Sequence, residues 1–221
     1  MTSPTPTPYP ADAPIGEDWH TISEDLLRGL VHALNNRVAS LSASVELAKL
    51  GDEEEDPLVV LPDEIAQLHR VNTLFGLLPQ RKAEAESLEL RAVLDDAIAL
   101  HEHHPRFRGG HVALTFEGAP AVVRAPRWAL VRVLVMLVHA ARIEAGTDGS
   151  RVDPTVRVNG DDQTVSVQVS TREPPSADLA ALAARCGGRM VWTNDALVLT
   201  LPSLRELRRR EREARGESPA G

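Results

Sequence analysis

Residues 21–48 read Thr21-Ile22-Ser23-Glu24-Asp25-Leu26-Leu27-Arg28-Gly29-Leu30-Val31-His32-Ala33-Leu34-Asn35-Asn36-Arg37-Val38-Ala39-Ser40-Leu41-Ser42-Ala43-Ser44-Val45-Glu46-Leu47-Ala48. Leu27, Val31, Leu34, Val38, Leu41, Val45 and Ala48 recur in alternating steps of four and three. That is the heptad seam of a helix with helical partners along its whole length. Thr21 and Glu24 have the spacing of a capping box and predict the start. The predicted helix runs roughly 28 residues, about 42 Å at the α-helical rise, far beyond an ordinary globular helix.

Gly51 ends this helix, and Asp52-Glu53-Glu54-Glu55-Asp56-Pro57 reads as an acidic loop. A second amphipathic helix is predicted from Pro62 to Leu78, with Ile65, Leu68, Val71, Phe75 and Leu78 on one broad face. The two helices pair as an antiparallel hairpin over 19–80. One hairpin leaves much of the first seam uncovered. A second copy across a two-fold axis completes a four-helix bundle, so a homodimer is expected.

Upstream, residues 1–18 are rich in Pro and Thr and have no hydrophobic period, which predicts a flexible tail. Downstream of the polar linker at 80–86 the pattern becomes mixed. A helix is predicted from Leu88 to His101, a strand from His111 to Phe116, and a helix from Pro126 to Ala145. A hairpin follows, with Val156 and Val158 facing Val165, Val167 and Val169 across a turn at Asn159-Gly160-Asp161-Asp162. A short helix, Asp178 to Arg185, stops at Gly187-Gly188, and strands at 189–193 and 196–201 close the region. The fold class expected is α+β: the dimeric helical bundle, then an α/β sandwich over 87–202 with helices on one face of a sheet. Residues 203–221, with six arginines interleaved with glutamates, read as a charged, solvated tail.

Composition narrows the function classes. The chain has 221 residues, 43% hydrophobic, but aromatics are only 3%, too few to build stacking platforms for single-stranded nucleic acid. Its net charge of -8 offers no global attraction to a phosphate backbone or an anionic membrane. The single cysteine, Cys186, allows no intrachain disulfide and no multi-cysteine zinc pattern. The start has neither basic nor apolar signal character, and the longest apolar run is broken by Arg132. A cytoplasmic protein is expected, with no nucleic-acid or membrane partner.

The segment Leu30-Val31-His32-Ala33-Leu34-Asn35-Asn36-Arg37-Val38-Ala39 resembles the phosphoacceptor box of sensor histidine kinases, commonly His-Glu-Leu-Asn-Asn-Pro-Leu. The hairpin and the mixed region behind it also resemble that family's dimerisation helices and ATP-binding domain, over about Ser23 to Pro202. The resemblance implies that His32 accepts a phosphoryl group. It also implies receiver domains of response regulators as partners, and possible exchange with a hybrid histidine kinase. In the family an asparagine-rich motif on one helix holds magnesium; Met136 and Ala140 stand where the two asparagines fall. Thioether and methyl groups are no ligands for that hard cation. The family's Asp-x-Gly-x-Gly loop should follow the Val165–Val169 strand, yet residues 170–178 contain no glycine. The later glycine-rich lid is missing too. The pattern resembles bacterial histidine phosphotransferases, which keep the bundle and a decayed ATP-like domain. No cofactor is expected on this chain, and magnesium is expected on the partner receiver.

An imidazole can attack a phosphoryl group near neutral pH, and the loose transition state of the transfer mainly demands positioning. Arg28, His32 and Asn36 are spaced i, i+4, i+8 and form one column, with Asn35 beside it. Arg28 is expected to support by pairing with phosphoryl oxygens, and Asn36 by orienting the group. The acidic residue that follows the family's histidine is Ala33 here, and the usual proline is Arg37, so no kink is expected. Two other readings remain: a dimeric docking module that is never phosphorylated, and a divergent kinase. His101-Glu102-His103-His104 also admits a metal reading, weakened by its place at a helix end before Pro105 and by the lack of a convincing second ligand group. His139 reads as a core or subunit-edge residue, and Cys186 as a small packed one.

Overall fold

The computed structural model describes residues 18–50, 59–79, 84–107, 111–118, 121–147, 155–161, 163–172, 174–193 and 195–215. The Pro/Thr-rich segment through residue 17, the acidic loop, much of the linker and the last six residues lie outside that range. Helix α1 spans Trp19–Leu50, 32 residues. The amide of Thr21 donates to Oδ1 of Asp18 at 2.9 Å, so Asp18 caps the helix and the predicted capping box at Thr21 is corrected to lie inside it. Helix α2 spans Leu61–Phe75 and packs on α1 as the expected hairpin; it ends before the predicted Leu78. Arg37 ties the two helices by reaching Glu64.

The α/β region begins with a correction. Leu88 lies in strand β1, Glu86–Glu89, not in a helix. Helix α3 runs Leu90–His101, a short 3-10 turn follows at Pro105–Phe107, and β2 covers Ala113–Gly118. Strand β3, Val122–Ala125, was not anticipated; it pairs antiparallel with β1. Then come α4 (Arg127–Thr147), β4 (Thr155–Gly160), β5 (Thr164–Ser170), α5 (Ala177–Arg185), β6 (Arg189–Thr193), β7 (Ala196–Pro202) and α6 (Leu204–Ala214). The main sheet has the order β2-β4-β5-β7-β6, with β2 parallel to β4 and the other neighbours antiparallel.

Alternation along the central strands decides which face is covered. Val165, Val167 and Val169 are buried and pair across the register with Leu201, Leu199 and Leu197, also buried. The intervening Ser166, Gln168, Val198 and Thr200 face the other way and are less buried. Helix α4 packs on the covered face with α3 and α5 beside it. Its residues Ala129, Leu130, Val131, Val133, Leu134 and Val135 are all fully buried, consistent with a helix apolar nearly all round. Gly187, at φ +71°, supplies the left-handed residue after α5. The described part of the charged tail, residues 203–215, is less free than its composition suggests. Ser203 caps α6, Glu206 is buried and holds Arg209 and Arg210, and Glu211 pairs with Arg124.

The seam and the buried stripe of α1 are different sets of residues. Leu27, Val31, Val38 and Val45 are 47%, 43%, 49% and 42% exposed, while Leu34 and Leu41 are half-buried in the hairpin. The fully buried side chains of α1 are Ile22, Leu26 and Leu30, and they belong to the same core as α4.

Candidate functional site

His32 sits in the uninterrupted middle of α1 with its side chain exposed. Asn36, one turn on, places Nδ2 at 3.2 Å from His32 Nε2. An amide nitrogen only donates, so this contact suits the His32 tautomer in which Nε2 accepts and Nδ1 carries the proton. The nitrogen carrying the lone pair is thus the one that Asn36 touches. Asn35 and Asn36 are both exposed.

Arg28, one turn before His32, completes the column in sequence, but its Nη1 donates to Oδ1 of Asp25 at 2.7 Å. Arg37 is likewise engaged, donating to both carboxylate oxygens of Glu64 at 3.3 Å. Of the three residues expected to act together, His32 and Asn36 are in contact and Arg28 is held on a neighbouring carboxylate.

Asp25 faces two ways. Its Oδ2 lies 3.5 Å from Nε2 of His104, a residue of the α/β region that is almost wholly buried. His104 belongs to a cluster that sequence spacing gave no means to assemble. His101 Nε2 lies 3.0 Å from His139 Nδ1, and the rings of His101, His104, His139 and Phe107 lie within 5.0–5.4 Å of one another. Burial pushes His101 down to about 2 and His139 to about 3, and it also lowers His104; Arg142 adds to each shift. These are neutral core imidazoles beside a buried cation. Among the described residues no group of three His, Cys, Asp or Glu side chains is arranged to hold a metal ion. His139 is a core histidine, and Cys186 is buried, its thiol pushed up to about 12 by desolvation.

Met136 and Ala140 line a cleft between α4 and the segment Pro174-Pro175-Ser176, together with Leu179 and Leu197. Ile22 of α1 forms part of its wall, and only about 20 Å³ stays open. Ligand pockets usually offer several hundred Å³. With no oxygen ligand at Met136 or Ala140, an isoleucine in the wall and so little open volume, these residues do not fit magnesium and a nucleoside triphosphate.

The fold and site define a two-part α+β chain: a helical hairpin carrying an exposed, amide-oriented imidazole, and an α/β layer whose cleft is filled from within. No protein-family model matches the chain, and no curated protein sequence matches it. Among solved structures it is similar to a bacterial phosphotransferase, at 15% identity over 86% of this chain and 99% of that one, TM-score 0.41. It is similar to the histidine kinase AdeS of Acinetobacter baumannii at 13% identity over 80% and 97%, TM-score 0.40. It is also similar to the histidine kinase ThkA in complex with the response regulator protein TrrA, at 18% identity over 85% and 64%, TM-score 0.44. No helix among the described residues is long and apolar enough to cross a membrane.

Proposed function

We propose that this chain is a histidine phosphotransferase that exchanges a phosphoryl group between His32 and response-regulator aspartates without using ATP. The observation that carries the reading is the exposed pair of His32 and Asn36, with Nε2 free to act as a nucleophile once the amide yields. In the forward step the Nε2 lone pair attacks the phosphorus of an aspartyl phosphate. An N–P bond forms, the P–O bond to the aspartyl carbonyl breaks, and the carboxylate leaves with the electron pair. The ring is cationic until Nδ1 gives its proton to solvent. Asn36 then turns its donor toward a phosphoryl oxygen, and Arg28, released from Asp25, supplies a second, charge-assisted contact. Magnesium belongs to the receiver's acidic pocket in this scheme.

The working unit is a homodimer, supported by the row of exposed Leu27, Val31, Val38 and Val45 on α1 and exposed Ile65 on α2. Apolar residues at heptad spacing are placed to pack on a second hairpin.

Incubation with a panel of phosphorylated receiver domains tests the proposal. Acid-labile label should appear on the unmodified protein and be absent from His32→Gln, with dimer and thermal stability nearly unchanged. An exposed residue tolerates replacement within about 0.5 kcal/mol. Receivers that bind both proteins equally while neither takes up label make the chain a docking module and overturn the relay.

A further inference from the structure

Ile22 of α1 lines the cleft beside Met136 and Ala140, and four separate features fix the start of α1 against the α/β layer. Ile22, Leu26 and Leu30, at i, i+4 and i+8, are fully buried in the same core as α4. Between them, Gly29 lies so close to the 3-10 turn region that a Cβ there would meet the carbonyl oxygen of His103 at 1.6 Å. Glycine inside a helix destabilises it relative to alanine, and here it is the residue that lets two backbones touch. Asp25, on the same face, approaches His104 at 3.5 Å. At the helix start, the Arg132 guanidinium stacks 4.8 Å from the Trp19 ring and 5.1 Å from the Trp128 ring, and its Nη2 donates to the Leu78 carbonyl at 2.9 Å. One side chain of α4 thereby holds the beginning of α1 and the segment that follows α2.

We propose that this contact is a permanent joint: the first three turns of α1 stay packed on the α/β domain, with Ile22 filling the cleft beside Met136 and Ala140, and they fix that domain in one position beside His32 whether or not nucleotide is present. Gly29 is the hinge pin, because no other residue fits between α1 and His103. The joint ends at Leu30, two residues before His32, so it sets where the domain stands relative to the imidazole. That consequence for phosphoryl transfer rests on the function proposed above; the joint itself does not.

Paired spin labels on the full chain measure the joint directly. Introduced cysteines at Ala43→Cys on α1 and Ala180→Cys on α5 are exposed sites, whereas Cys186 is buried and unreactive. Diluting labelled chains with an excess of unlabelled ones confines the signal to pairs within one chain. A single narrow distance is expected, unchanged by millimolar magnesium-ATP. Gly29→Ala, which should raise the intrinsic helicity of α1, is expected to broaden the distribution severalfold, and so is Ile22→Asp. A broad distribution in the unmodified chain overturns the joint, as does a shift on adding ATP, or a narrow distribution that survives both substitutions. Receiver-driven labelling of His32 in the same samples separates the two ideas. A narrow distance with no label leaves the joint standing and removes the relay. Label at the full rate in a chain whose distance has broadened removes the joint's part in transfer.

Discussion

The amide nitrogen of Asn36 and Nε2 of His32 lie 3.2 Å apart on adjacent turns of one exposed helix face. Because the amide donates, the contact selects the tautomer with its lone pair on Nε2. Asn36→Ala is therefore expected to slow labelling of His32 about tenfold, the ordinary weight of one orienting hydrogen bond at roughly 1.4 kcal/mol. Asn36→Asp should be worse than Asn36→Ala, since a carboxylate accepts and so favours the proton on Nε2. Single-turnover labelling rates, with nitrogen NMR of the ring to assign the tautomer, check the order. A faster Asn36→Asp would show that the contact does not govern the nucleophile.

The exposed valines of α1 make the dimer testable without damage to the single chain. Val38→Glu combined with Val45→Glu replaces side chains 49% and 42% exposed in one copy. Burial at an interface is worth at most roughly 1.5 kcal/mol or a little more for each valine, and charges facing charges add repulsion. Light scattering should show a dimer for the unmodified protein at micromolar concentration and a folded monomer for the double variant.

The buried imidazoles predict acid sensitivity with a defined window. His101 and His139 are pushed down to about 2 and about 3, and His104 is also lowered, whereas in the unfolded chain they titrate near 6.5. The unfolded state thus binds more protons at every pH between those limits. Stability is full above about 6.5 and falls as the pH drops toward 3, by roughly 1 kcal/mol per pH unit for each of His101 and His139, with His104 acting in the same direction. Urea midpoints at pH 7.5 and pH 5 measure the loss, and His101→Leu should remove part of the slope. Equal midpoints would show that the cluster takes up protons in the folded chain.

Binding of nucleotide should be no better than millimolar by calorimetry with magnesium-ATP. The informative variant is Met136→Asn with Ala140→Asn, which restores oxygen ligands but leaves Ile22 in the wall of a cleft with almost no open volume. It is expected to remain silent as well. A micromolar dissociation constant for the unmodified chain would return it to the kinases.

Arg37 reaches both oxygens of Glu64 at 3.3 Å, with the two side chains 39% and 18% exposed. Arg37→Ala should cost about 0.5 to 1 kcal/mol, reduced in high salt because the pair is partly solvated. A double-mutant cycle with Glu64→Gln isolates the coupling, and a coupling near zero would mean that the arginine serves the hairpin through its aliphatic stem alone.

Much of this architecture is legible in the sequence because it rests on local periodicity. The seam from Leu27 to Ala48, the alternation of Val165, Val167 and Val169, and the glycines after Arg185 all announce their elements. Strands β1 and β3 escape because four residues each, Glu86–Glu89 and Val122–Ala125, are too few to establish a period. The stripe of Ile22, Leu26 and Leu30 is hidden by the stronger seam beside it, since both repeat at helical spacing and only the packed domain distinguishes them. His32 and Asn36 are visible as a column. The tether of Arg28 to Asp25 is not, because Glu24 at i−4 and Asp25 at i−3 are both within reach of that side chain and spacing alone does not choose between them. The histidine cluster joins residues 38 positions apart, a closeness set by the crossing of α3 and α4 and by no pattern in either.

The placement of Trp19 and Trp128 on either side of Arg132 gives the chain an optical reporter of its own. Only three tryptophans are present, and two of them share one guanidinium across the boundary between hairpin and sheet. Indole emission responds to a neighbouring cation and to water, so the folded spectrum is dominated by that boundary and much less by either part's interior. If the hairpin and the α/β region melt as one unit, emission and far-ultraviolet dichroism will trace the same denaturation curve. If the boundary opens first, emission will move to the red while the backbone signal is still native.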